Sequence, residues 1–188
     1  MPDAICNSLP RFGNYATIAQ DTNVKRYANC GNLLPFAAFQ EEKTVIKILF
    51  VCHGNICRST MAEFIFKNLV NEKGIGDLFQ ISSAGVSDEE EGNDIYPPAQ
   101  RELRKHHIPF SSHYAHRITD KEFEENDFII ALDSSNMRRL LSRFGKHDKI
   151  RMLLTRDVDD PWYTGDFSAA YRDITEGCLN LLSQVVQK

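Results

Sequence analysis

Ile46-Lys47-Ile48-Leu49-Phe50-Val51-Cys52-His53-Gly54-Asn55-Ile56-Cys57-Arg58-Ser59-Thr60-Met61-Ala62-Glu63 carries an apolar, β-branched run into a short polar loop and then into a helix. Ile46 to Val51 has the composition of a strand buried on both faces, and Thr60 with Glu63 reads as a capping box that opens the helix. A loop that closes a strand onto a helix N-terminus turns successive backbone N–H groups inward. The helix dipole adds fractional positive charge, so such a loop takes a tetrahedral oxyanion. The expected cradle is His53, Gly54, Asn55, Ile56, Cys57, Arg58 and Ser59. Gly54 lets the backbone bend, and Asn55 is a residue type that tolerates left-handed backbone. Arg58 suits the gripping of two phosphate oxygens with its planar fork. Cys52, at the bottom of a positive field, is then a thiolate facing bound phosphate, with Ser59 placed to donate its hydroxyl to the sulfur.

Cys-x5-Arg is a weak signal on its own, because a chain of this length and composition supplies roughly 0.3 chance matches. Its position at a strand-to-helix turn with a glycine inside is what strengthens it. A buried structural cysteine is the bland alternative for Cys52.

Val51-Cys52-His53-Gly54-Asn55-Ile56-Cys57-Arg58-Ser59 resembles the signature loop of the low-molecular-weight protein tyrosine phosphatases, and the likeness runs from about Lys47 to Val186. The resemblance implies Cys52 as nucleophile, Arg58 as phosphate ligand and an acid from Asp159-Asp160-Pro161-Trp162-Tyr163. Asp160 is the choice, since it directly precedes Pro161 and is restricted to extended backbone. The family's Ser-Ala and Ser-His pairs fall on Ser83 and His113, implying a network behind the loop around Asn55. A plain strand-end serine and a surface histidine are the alternatives. Glu89, Trp162 and Tyr163 fall on the pocket rim. The family often has an aromatic residue where this chain has Glu89, inside the run Asp88 to Glu91. That departure removes a stacking contact and implies an acidic rim, which disfavours strongly acidic peptides.

The implied reaction is hydrolysis of phosphotyrosine in proteins through a cysteinyl phosphate, with no metal or other cofactor. The implied partner is a phosphotyrosine protein, with a cognate tyrosine kinase as a further candidate. A thioredoxin-coupled arsenate reductase resembles the same fold and loop but needs further redox cysteines, and none lies between Asp127 and Phe167. Protein arginine phosphatase is a live alternative; Ile56 argues against it, because an apolar wall suits a phenyl ring better than a guanidinium. A phospho-ligand binding protein that has lost catalysis is disfavoured by the intact Cys52, Arg58 and Asp160. Cys57 is expected to capture oxidised Cys52 as a disulfide and so make the enzyme redox-regulated; the alternative is that it merely packs beneath the loop.

Composition agrees with this reading. A chain of 188 residues, 42% hydrophobic and 26% charged, is enough for one globular domain. Its net charge of −4 leaves no nucleic-acid footprint. No apolar run approaches the roughly 18 residues of a membrane span. Five cysteines, an odd number, point to free thiols and a cytoplasmic setting. No His, Cys and carboxylate cluster has metal-ligand spacing. Residues 1–44 lack a sustained period and read as a poorly ordered extension ahead of a phosphatase domain over 45–188.

Within that domain a helix from Thr60 ends near Gly74 and a second strand covers Phe79–Gly85. Pro97-Pro98 opens a helix to His107, and a third strand covers Asp127–Leu132. Asp133-Ser134-Ser135-Asn136 caps a helix over Met137–Phe144, ahead of a fourth strand at Lys149–Leu154 and a closing helix at Phe167–Val186. His106, His107 and His116 read as solvated. Strands alternating with helices predict an α/β single domain: a four-stranded parallel sheet, helices on both faces, and the phosphate-binding loop after strand one. Ligands of such sheets bind outside the carboxyl ends of the strands, which lets Cys52 and Asp160 meet.

Overall fold

The computed structural model describes residues 45–186; the expected extension over 1–44 lies outside them. Strand β1 (Ile46–Cys52) is central, buried on both faces from Ile48 onward as its β-branched run requires. It pairs in parallel with β2 (Phe79–Gly85) on one side and with β3 (Phe128–Ala131) on the other; β4 (Ile150–Met152) extends the sheet beyond β3. The order is β2-β1-β3-β4. The register runs from Ile46 opposite Phe79 to Cys52 opposite Gly85, so the two C-terminal ends are level.

Helix α1 (Arg58–Glu72) connects β1 to β2. Helices α2 (Pro97–Lys105) and α3 (Asp120–Glu125) lie between β2 and β3, and α4 (Ser134–Phe144) between β3 and β4. A four-residue helix, α5 (Pro161–Thr164), and the closing α6 (Phe167–Val186) follow. The period of two along the strands divides the core. Ile48, Phe50, Ile130 and Leu132 join Met61 and Ile65 of α1 and Ile174 and Cys178 of α6. Leu49, Val51, Ile129 and Ala131 join Phe123 of α3 and Leu140 of α4 on the opposite face. Among the described residues no helix is long and apolar enough to cross a membrane.

Two readings of the sequence need correction. Thr60 and Glu63 do not form a capping box: α1 already starts at Arg58, and no side chain caps its first turn. Thr60 Oγ1 instead donates to the Cys57 carbonyl at 2.7 Å, and Glu63 turns to Ser83 and Lys67. The box motif is used at α3, where Thr119 and Glu122 bond reciprocally. Both α3 and α5 are too short to leave a periodic signal. Second, His116 is not simply solvated: its Nε2 meets Glu122 at 2.7 Å, and His106 stacks on Tyr171 with ring centroids 3.7 Å apart.

Candidate active site

The loop His53–Cys57 leaves the C-terminal end of β1 and closes onto Arg58, the first residue of α1. Asn55 carries the sharp reversal, at φ 60°, in the left-handed region where Asn is among the tolerated residues. Gly54 is needed for room: a Cβ there would stand 2.8 Å from Glu90 Cγ. Gly85 allows a second close approach, since a Cβ would stand 2.7 Å from the His53 carbonyl oxygen. The backbone turn after β2 is therefore pressed directly onto the loop, with Val86 N donating to Cys52 O and Ser87 N to His53 O.

A buried polar chain runs behind the loop. Ser83 donates to Glu63 Oε2 at 2.6 Å, so its oxygen is left to accept from Asn55 Nδ2 at 2.9 Å. Asn55 Nδ2 also donates to Ser59 Oγ at 3.0 Å, and Ser59 Oγ lies 3.0 Å from Cys52 Sγ. With its oxygen already accepting, Ser59 has its proton free to donate to the sulfur. His113 Nε2 approaches both Asn55 O and Asn55 Oδ1, at 2.9 and 3.1 Å. Two acceptors require that this nitrogen carry the hydrogen. Burial holds the His113 pKa below the ordinary histidine value, which favours the neutral ring over the charged one.

Arg58 is the electrostatic centre. Its side chain is only 3% exposed, with Nη1 on Asp133 Oδ2 and the Val158 carbonyl, and Nη2 on Asp160 Oδ2. Burial works against its charge, but Cys52, Asp160 and Asp133 together keep its pKa above the ordinary value. Nε of Arg58 is buried and makes no hydrogen bond among the described residues. Asp160 also accepts the Trp162 N–H through its other oxygen, capping α5, whereas Asp159 is exposed.

The remaining rim residues sit in different ways. Glu89 meets His53 Nε2 at 3.0 Å, and the hydrogen bond from that ring lowers its pKa. Trp162, half exposed, stands on Tyr96 with centroids 4.8 Å apart, while Tyr163 is 82% exposed. Ile56 and Cys57 are buried with Ala115, against Tyr96 and Phe167. Burial pushes the Cys57 thiol far up. Among the described residues no group of three His, Cys, Asp or Glu side chains is placed to hold a metal ion.

Sequence reasoning missed three members of this arrangement. Asp133 reads as a helix cap and also holds Arg58; its position at the C-terminal end of the third strand was the available signal. Glu63 reads as a cap and orients Ser83 instead. Tyr96 has no motif, and only packing places it under Trp162.

A family model described as low molecular weight phosphotyrosine protein phosphatase matches residues 47–188. The chain is 37% identical over 150 residues to the low molecular weight protein-tyrosine-phosphatase YfkJ of Bacillus subtilis, covering 75% of this chain and 96% of that protein. The structure of a low molecular weight protein tyrosine phosphatase from Streptococcus pyogenes superposes with a TM-score of 0.70 at 38% identity, over 74% of this chain and 93% of that one. A Drosophila arginine phosphatase superposes with a TM-score of 0.68 at 32% identity, over 74% of this chain and 98% of that one.

Proposed function

The chain belongs to the low molecular weight phosphotyrosine protein phosphatase family and is a cysteine-dependent protein phosphatase; from that premise we propose that it hydrolyses phosphotyrosine in proteins, without a metal ion, through a phosphate ester of Cys52. The observation that carries this reading is the hydrogen bond between Asp160 Oδ2 and Arg58 Nη2, which joins a carboxyl to the anion-binding loop across 102 residues of chain.

In the first step the Cys52 thiolate attacks phosphorus in line, an S–P bond forms and the P–O bond to the phenolate breaks. Asp160 delivers its proton to the departing oxygen. Bound phosphate competes with Asp160 for Arg58, and this competition releases the carboxyl towards the leaving group. Arg58 Nε and the loop N–H groups hold the non-bridging oxygens; single donors of this kind are commonly worth about 3–4 kcal/mol in the barrier. In the second step water attacks phosphorus, Asp160 takes its proton, and the S–P bond breaks to return the thiolate. The Ser59 hydroxyl stabilises that thiolate as leaving group, oriented by the chain from Glu63 through Ser83 and Asn55.

Trp162 on Tyr96 beside Asp160, together with the apolar Ile56, supports an aromatic leaving group over a guanidinium. Glu89 at the rim is the feature that suits a guanidinium and keeps arginine phosphate as the second reading. The proposed partners are tyrosine-phosphorylated proteins and the kinase that supplies them, in the reducing cytoplasm that the free Cys52, Cys57 and Cys178 suit. The test compares matched phosphotyrosyl and phosphoarginyl peptides with the purified protein in excess chelator. Phosphotyrosine turnover that withstands the chelator is expected. Faster release from phosphoarginine, or a requirement for added divalent metal, overturns the reading.

A further inference from the structure

Resting on that reading, we propose that the groove between α4 and the Arg117–Ile118 segment binds carboxylate side chains that flank the phosphorylated residue of the substrate protein, with Arg117 and Arg139 as the ligands. The groove has a volume of about 230 Å³ and sets Arg117, Arg139 and Arg143 around an apolar floor of Val86, Ile118 and Phe144. One end adjoins the anion-binding loop, since Val86, which lines the groove, donates its N–H to the Cys52 carbonyl at 2.9 Å. From there it follows α4 away from Asp133, the residue that holds Arg58.

The three arginines are not equivalent. Arg143 is committed to the fold: it donates to the Ile118 carbonyl and to Asp120, and its guanidinium lies 4.7 Å from the Phe144 ring centroid. Arg117 and Arg139 are exposed, and among the described residues neither guanidinium has a hydrogen bond or an ion pair. Glu91 bonds the backbone N–H of Arg117, leaving the side chain uncommitted. Two uncommitted forks over an apolar floor suit a carboxylate carried on a short aliphatic stem, the chemistry of Asp and Glu.

Glu89, Glu90 and Glu91 of the acidic run are already partnered. Glu89 meets His53, Glu90 takes Asn93 Nδ2, and Glu91 takes the Arg117 amide. Arg139 is close enough to Glu89 for its charge to help lower that pKa. Carboxylates and guanidiniums are therefore neighbours here, Glu91 on the Arg117 backbone and Glu89 within reach of the Arg139 charge. Arg117 and Arg139 thus offset the repulsion of acidic peptides expected from Asp88 to Glu91. A substrate with acidic residues on a single side of its phosphorylated residue is steered into one orientation.

The experiment uses peptides bearing difluorophosphonomethyl-phenylalanine, which the enzyme cannot cleave, with acidic or neutral residues on one flank or the other. Each is measured as an inhibitor of p-nitrophenyl phosphate turnover at low and moderate salt. One acidic flank is expected to tighten inhibition by about tenfold at low salt, and less as salt screens it. Arg117→Ala and Arg139→Ala each remove most of that preference while leaving p-nitrophenyl phosphate turnover unchanged, and Arg139→Glu shifts it towards lysine-flanked peptides. Equal inhibition by acidic and neutral peptides overturns the proposal, as does a variant effect that is the same for both. If no such peptide competes, the phosphotyrosine reading falls instead, and phosphoarginyl peptides with the same flanks, compared by kcat/KM, decide the groove.

Discussion

Asp133 Oδ2 lies 2.5 Å from Arg58 Nη1, while its other oxygen takes the Asn136 N–H at 2.6 Å. One carboxylate thus caps α4 and fixes the guanidinium on which the site depends. Asp133→Ala removes both contacts and is expected to lower kcat/KM by about 10²-fold and to cost about 1 kcal/mol of stability through the lost cap. Asp133→Asn retains a capping oxygen, so it should recover most of the stability and little of the activity. Steady-state kinetics alongside denaturant melts separate the two roles.

Cys52→Ser and Arg58→Ala are each expected to abolish turnover, with different effects on binding. The serine variant keeps the loop and should still bind vanadate, read by fluorescence or calorimetry. Loss of Arg58 removes the guanidinium and leaves Asp133 and Asp160 facing each other without a cation, so anion binding should fail as well. Turnover by Cys52→Ser comparable with the unmodified protein would remove Cys52 from the mechanism.

Asp160→Asn should slow aryl phosphates in proportion to the pKa of the leaving phenol, with little effect on p-nitrophenyl phosphate and about 10²-fold or more on phenyl phosphate. Asp159, exposed and without contact to Arg58 among the described residues, should show no such dependence when changed to Asn. The opposite pattern would reassign the acid.

His116 and Glu122 make a pH-dependent brace at the start of α3. Burial opposes the charge of Glu122, but bonds from His116 and Thr119 hold its carboxyl down to about 2 from 4.5. The hydrogen bond to Glu122 raises His116 above 6.5. The Glu122 contribution is present above pH 4.5 and is lost as pH falls towards 2; the His116 contribution is present below pH 6.5 and is lost as pH rises through its folded value. The melting-temperature difference between the unmodified protein and Glu122→Gln should therefore be largest between pH 4.5 and 6.5 and shrink on both sides. A flat difference would show that the pair contributes nothing through charge.

Peroxide is expected to convert Cys52 to a sulfenic acid, which the Cys57 thiol then captures as a disulfide with release of water. Burial keeps Cys57 protonated, so capture should be slow and should accelerate at higher pH. Cys57→Ser should stay active but become irreversibly inactivated. Equal recovery of both proteins with dithiothreitol would leave Cys57 as packing beneath the loop.

Local chemistry made much of this protein legible in its sequence. The β-branched run at Ile46, the loop from Cys52 to Arg58, and the alternation of strand and helix patterns all express interactions between residues close in the chain. They determined a parallel α/β sheet, and hence an edge at which Asp160 can reach the loop. What only the tertiary structure decided are the pairings across that edge. Thr60 and Glu63 satisfy the capping motif in sequence, yet Glu63 serves Ser83, because α1 packs against β2 and buries both residues, where an unpartnered carboxylate is costly. Asp133 and Arg58 are 75 residues apart, Tyr96 and Trp162 lie in segments that no motif joins, and Arg139 of α4 shares a groove with Arg117. Charges and rings of this kind carry no periodic signal. Their partners are chosen by burial and proximity once the sheet has brought the segments together.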